Sequence, residues 1–274
     1  MTTLRADLAR FLDAHPAVAL VEVREALGST PREAGAWMLV SSDAIFGTIG
    51  GGQLEFMAID RARDVLNAAS PSGAGKTLSI PLGPEIGQCC GGRVELHLSQ
   101  VDPGLRSELE ERAAREDAAR AHVFLFGGGH VGHALAAALF LLPLQVVVVE
   151  TRAEALEGFP EGIATRLTPV PEEAVREAPS GSAFVVLTHD HALDFLIAAE
   201  ALRRDDASYV GMIGSQTKKA TFRSWYFKEA GGDAARFARL VSPIGGEAVR
   251  DKRPAVIAAL AAAQIMTAVA AWRQ

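Results

Sequence analysis

HVFLFGGGHVGHALAAALFLLPLQVVVVETR, residues 122–152, is the stretch on which the fold turns. An apolar run stops at three glycines, an alanine- and leucine-rich segment follows, and Pro143 precedes a second apolar run. The order reads as strand, turn, helix, strand. Within it, Gly127-x-Gly129-x-x-Gly132 stands directly after the first strand and opens the helix, the context a dinucleotide-type fingerprint requires. Gly127 serves the tight turn, Gly129 admits a phosphate to the backbone, and Gly132 lets helix and sheet pack closely. Glu150 closes the second strand, where an acidic side chain accepts from a ribose hydroxyl. The unbroken QVVVV suits a strand covered on both faces.

Working outward, AFVVLT and ASYVGMI supply two more strands, while HALDFLIAAEALRR and QTKKATFRSWYFKEAG supply helices. Strands alternating with helices describe an open parallel sheet over residues 121–274, closed by the helix PAVIAALAAAQIMTAVAAW. Residues 1–100 read differently. An amphipathic helix carries Leu4, Leu8 and Phe11 on one face. AVALVEVREAL, AWMLVS, FGTI, TLSIPL and GRVELHLS read as strands, and QLEFMAIDRARDVLNAA as a helix. The charged segment DPGLRSELEERAAREDAARA, within residues 101–120, reads as a connecting helix with a solvated face. The expected class is α/β, with a smaller mixed α+β domain before the parallel-sheet domain.

A chain of 274 residues accommodates two such domains, and its net charge of -6 with no basic block lacks the footprint of a nucleic-acid binder. The final alanine-rich helix is long enough to suggest a membrane span, but its small residues and glutamine fit a buried or dimer-interface helix better. The N-terminus is charged and lacks an apolar signal core. Cys89 and Cys90 are adjacent and make no disulfide framework, so a cytoplasmic protein is expected.

Several segments carry candidate chemistry. FGTIGGGQLEF, residues 46–56, places Gly50, Gly51 and Gly52 before a helix, a bare backbone suited to approach by a ligand. In GQCCGG, Cys90 is either an exposed thiolate for a soft metal or sulfur relay, or a small buried residue. THDHALD puts His189, Asp190 and His191 just beyond a strand, on the ligand side of a parallel sheet; Asp190 equally suits a helix cap. GMIGSQTKK offers a phosphate contact, or else Ser215 caps a helix and the lysines face solvent. His130 and His133 share a helical face, but they do not supply a zinc ligand set. PSGAGKT lacks the first glycine of a phosphate-binding loop and reads as a surface turn.

Taken together, TPREAGAWMLV, GTIGGGQLE, CCGG, LFGGGHVGHALA, VVVVETR, LTHDHALD and YVGMIGSQTKK resemble the bacterial xanthine dehydrogenase accessory proteins of the XdhC/CoxI family. The likeness runs from about residue 17 to the closing helix and the SPIGG turn before it. It implies a Rossmann-like second domain and a homodimeric chaperone of the molybdenum cofactor. Such a protein binds and protects the cofactor in its molybdopterin form, supports its sulfuration by a cysteine desulfurase, and delivers it to apo xanthine dehydrogenase. By matched motif, the resemblance implicates Arg32 and Gly35; Gly50, Gly51, Gly52, Gln53 and Glu55; and Cys90, Gly91 and Gly92. In the second domain it implicates Gly127, Gly129, Gly132, Glu150, Arg152, His189, Asp190, Gly214 and Ser215. Gln53 departs from the pattern, because many relatives have cysteine after the triple glycine. That directs attention to Cys90, and after it Cys89, as the thiol nearest molybdenum or sulfur.

Chemically, glycine turns with free N–H groups cradle anionic oxygens. Arg32 pairs with a phosphate, or alternatively with Glu55 or Asp43. The ligand is expected between the glycine loops of the two domains. Two other classes remain: a nicotinamide-dependent oxidoreductase using His189 as acid or base, and an assembly scaffold that holds no cofactor.

Overall fold

The computed structural model describes residues 3–68, 75–83 and 91–273, and the chain divides into units Thr2–Ala118 and Ala119–Gln274. In the first unit, strands β1 (Ala19–Leu27), β2 (Trp37–Val40), β3 (Ile45–Gly47), β4 (Lys76–Pro81) and β5 (Arg93–Gln100) form one antiparallel sheet in the order β3-β2-β1-β5-β4. Alternation along β1 sends Ala19, Val21 and Val23 to one face and Leu20 to the other. Helix α2 (Gly52–Asn67) covers the first face with Leu54, Ala58 and Ala62. Helices α1 (Leu4–Ala14) and α3 (Pro103–Ala118) cover the second through Leu8, Leu12, Leu109 and Ala113.

The helix read as a connector therefore packs inside the first unit. Its charges are not all solvated. Asp117 accepts from the Leu4 and Arg5 amides at 2.9 and 3.0 Å, satisfying the open start of α1. Arg112 reaches the largely buried Glu22 at 2.8 Å, whereas Arg106 pairs with Asp13 at 2.7 Å on the surface. Glu108, Glu111, Arg115 and Glu116 form the expected solvated face, and only the partners of the inward charges depend on which elements lie alongside.

The second unit contains a six-stranded parallel sheet: β6 (Ala121–Phe126), β7 (Leu144–Glu150), β8 (Ala164–Leu167), β9 (Ala183–Val186), β10 (Tyr209–Met212) and β11 (Leu240–Val241). The order β11-β10-β9-β6-β7-β8 reverses direction at β6, as in a doubly wound sheet. Val123 and Leu125 of β6 face α4 (His130–Leu139) and α9 (Pro254–Trp272), whereas Phe124 and Phe126 face the opposite layer. That layer contains α5 (Glu172–Glu177), α6 (His191–Arg203), α7 (Gln216–Lys228) and α8 (Ala234–Ala238). Helix α9 is long and apolar enough to cross a membrane by length and composition, yet Ala258, Ala261, Ala262, Ile265 and Val269 bury one face in this core.

Candidate functional site

In the first unit α2 starts directly from the triple-glycine turn, where Gly50, Gly51 and Gly52 take φ of 123°, 77° and 66°. Three successive residues on this side of φ space are tolerable only without side chains. Glu55, in the first helical turn, folds back into the loop. Its Oε2 accepts from the Ile49 amide at 3.0 Å, the Gly51 amide at 3.1 Å and the Thr48 hydroxyl. Burial pushes this carboxyl up, but the bonds from Thr48, Gly51 and Ile49 outweigh it and hold Glu55 below the ordinary glutamate value. The Gly51 amide that the sequence offered to an anion, and the Ile49 amide before it, are thus already occupied by the chain's own carboxylate.

A methyl group on Gly50 would lie 2.4 Å from Cβ of Pro31, so the PREAG loop rests against this turn. At Gly51 a methyl would meet nothing within 4 Å, and no side chain caps the helix there. Gln53 is exposed beside it. Arg32 is exposed too, and among the described residues it has no hydrogen-bond or ion-pair partner; Glu55 is engaged as above, and Asp43 is held by Ser41 and Ser42. The Gly35 carbonyl accepts from Arg112, which also lies 5.6 Å from the Trp37 ring. A groove of about 450 Å³ runs past Arg32, Glu33, Gly35, Trp37 and Glu116. Across the sheet, a methyl on Gly92 would lie 2.3 Å from the Ser29 carbonyl, while one on Gly91 would stand in open space. Cys89 and Cys90 lie outside the described residues, as does most of PSGAGKT.

In the second unit the fingerprint glycines are bare for separable reasons. A methyl at Gly127, whose φ is 124°, would lie 2.5 Å from the Leu187 carbonyl oxygen. At Gly132 it would lie 2.1 Å from the Gly127 carbonyl, so helix packs directly on turn. Gly128 is closed by the Ala155 carbonyl at 1.9 Å. Gly129 differs: its φ of -76° suits any residue, and a methyl there would meet nothing within 4 Å. It is also the N-cap of α4, without a side-chain cap, at the strand-order reversal. A helix start of this kind presents open amides to an anion.

Glu150 is 5% exposed and turned onto its own loop. Oε2 accepts from the Gly128 amide at 3.0 Å and from Arg152 at 3.4 Å. Oε1 accepts from the Thr151 amide at 2.8 Å, the Thr151 hydroxyl and the Arg152 amide. Burial raises this carboxyl, and the Gly128, Thr151 and Arg152 bonds more than reverse that effect. The residue assigned to a ribose thus anchors the glycine turn. His133 is committed as well, with Nε2 2.8 Å from the Glu157 carbonyl and its ring stacked 3.9 Å from Phe159.

At the ends of β9 and β10 the capping alternatives describe what is built. Asp190 accepts from the Ala192 and Leu193 amides, and Ser215 accepts from the Lys218 amide. His189 remains exposed. Sequence reasoning missed a buried pair behind these caps. Asp194, fully buried, accepts from the Thr188 amide at 3.0 Å, the Thr188 hydroxyl at 2.7 Å and the Lys218 ammonium. Lys218 therefore does not face solvent, and a methyl on Gly214 would lie 2.6 Å from its Cδ. A carboxylate inside the apolar run of HALDFLIAA was the available signal.

Residues 123–265 match the XdhC Rossmann domain, and residues 11–79 match the XdhC and CoxI family. The uncharacterized protein YqeB of Escherichia coli is 28% identical over 239 residues, covering 83% of this chain and 39% of the relative. The chain thus spans about two fifths of the length of that curated relative. A crystal structure described as a xanthine dehydrogenase from Bacillus halodurans superposes with a TM-score of 0.80 at 18% identity, covering 98% of this chain and 96% of the other. That likeness shows the shared fold, with its mixed first domain, parallel second sheet and closing helix. The domain match extends over more than half the chain and contains the turn whose open glycine the fold does not explain: the chain belongs to the XdhC and CoxI family.

Proposed function

We propose that the protein binds the molybdenum cofactor in its molybdopterin form, supports its sulfuration by a cysteine desulfurase, and delivers it to apo xanthine dehydrogenase. Family membership supports this reading, and Gly129 is the observation that carries it. Its conformation needs no glycine and no neighbour fills the space, so a ligand approaching the main chain gives its bareness a reason. The cofactor's terminal phosphate suits the uncapped start of α4. In the first unit, the exposed guanidinium of Arg32, which has no partner among the described residues, suits an anionic oxygen, whereas the Gly51 amide is taken by Glu55. The dithiolene already gives molybdenum two sulfur ligands, so a carrier needs few of its own and releases its cargo readily. Homodimerisation and a cytoplasmic location belong to this reading.

A nicotinamide reading needs Glu150 to turn to a ribose, and its oxygens are occupied by Gly128, Thr151 and Arg152. Anaerobic titration with molybdenum cofactor, followed by gel filtration and assay of retained molybdenum and pterin, tests the carrier reading. Retention near one cofactor per chain, with transfer that activates apo xanthine dehydrogenase, is expected. A folded protein that retains none overturns it and returns the scaffold to consideration.

A further inference from the structure

Asp194 and Lys218 occupy the first turns of α6 and α7, which begin where the neighbouring strands β9 and β10 end. Their contact joins two loops at the carboxyl edge of the sheet. The side chains are 0% and 9% exposed. Lys218 Nζ also donates to the Ile213 carbonyl at 3.0 Å, and its stem lies across Gly214. The other end of the contact is equally directional. Asp194 Oδ1 takes both the amide and the hydroxyl of Thr188. The Thr188 nitrogen in turn backs the glycine turn, since a methyl on Gly127 would lie 3.0 Å from it. A continuous chain of contacts thus runs from Lys218 through Asp194 and Thr188 to Gly127, whose turn opens at Gly129.

Stability alone does not call for such a pair. Desolvating two charges roughly cancels their attraction, and apolar residues of similar volume commonly stabilise a core as well or better. An ion pair adds direction, because its partners accept and donate at fixed angles where an apolar contact slides. Here that direction fixes the segment carrying His189 and the wall behind the Gly127 turn.

We propose that Asp194 and Lys218 are positioning residues of the cofactor site, setting the residue 188–190 loop against the Gly127–Gly129 turn through Thr188. The inference rests on the carrier reading above, which puts the ligand at Gly129, and both residues act on that position through Thr188 and the Gly127 turn. The test compares the unaltered protein with the double variant Asp194→Leu/Lys218→Met and the single variant Thr188→Val, each titrated anaerobically with molybdenum cofactor well below its thermal midpoint. The double variant is expected to keep a midpoint near that of the unaltered chain and to bind cofactor about tenfold or more weakly, the scale on which orienting groups act. Thr188→Val keeps both charges but removes the hydroxyl's bonds to Asp194 and Asp190; it is expected to lower the midpoint and, measured where it remains folded, to weaken binding several-fold. A purely structural pair predicts the reverse association, with affinity unchanged wherever the protein remains folded. Unaltered affinity in folded double variant, or in Thr188→Val should the double variant not fold, overturns the inference. No retention by the unaltered protein overturns the carrier reading and this inference with it, so the two failures are distinguishable.

Discussion

The two triple-glycine turns share a sequence and differ in construction. In the first, Gly50, Gly51 and Gly52 all take positive φ, and Glu55 fills the turn from inside. In the second, only Gly127 of the three takes positive φ, and Gly127 and Gly128 are bare because carbonyl groups of other loops press on them. Conformation explains the first set, close packing explains two of the second, and Gly129 is left over. A run of glycines is therefore several separate requirements, and a ligand's share is the residue that neither φ nor packing explains.

The largest effect expected on either turn is from Gly127→Ala. It combines a disfavoured φ with a Cβ only 2.5 Å from the Leu187 carbonyl. A loss of about 3 kcal/mol or more in urea unfolding of the second unit is expected. A loss under about 1 kcal/mol would show that the Leu187 loop yields and that packing does not dictate this glycine.

Next comes Glu55→Ala, which strips the acceptor from the Ile49 and Gly51 amides. About 1–2 kcal/mol of first-unit stability is expected to go, with faster hydrogen exchange at those amides. The pH dependence has a definite sign. Because Glu55 is held below its ordinary value of 4.5, its contribution is complete above that pH and is lost as pH falls through the lower folded value. On acidification below about pH 4.5 the unaltered protein should lose stability faster than Glu55→Gln. Parallel pH curves would mean that the turn holds its shape without the carboxylate.

The smallest effect on folding is expected from Gly129→Ala. Its φ suits alanine and no atom lies within 4 Å of the new methyl, so stability should change by under about 1 kcal/mol, the cost of a poorer N-cap. Cofactor retention on gel filtration should nevertheless fall sharply. Full retention by this variant would remove the distinction between Gly129 and its neighbours.

Much of this was legible in the chain. The apolar run at β7 announced a strand covered twice, and the tight turn at Gly127 and the close helix packing at Gly132 are roles that the backbone angle and contact distances repeat. Two strands were not legible. β8, ATRL, is largely exposed at the sheet edge, and β11 has two residues; both are too short or too polar to show a period. They exist by pairing with β7 and β10. At the site, the readings of Asp190 and Ser215 as caps needed only local sequence. Glu55 and Glu150 were recognised as acidic residues at the right places, but not as partners of their own turns.

By itself, the sequence determined the order of the elements long enough to show a period, the faces they bury, and where a turn needs glycine. These depend on periodicity and φ preference, which act over a few residues. Only the tertiary structure decided which donors and acceptors were already taken. It placed Glu150 on Gly128, joined Lys218 to Asp194 across 24 residues, and left Gly129 open. Hydrogen bonding and steric contact are settled within about 3 Å, and distance along the chain does not report which atoms folding brings that close.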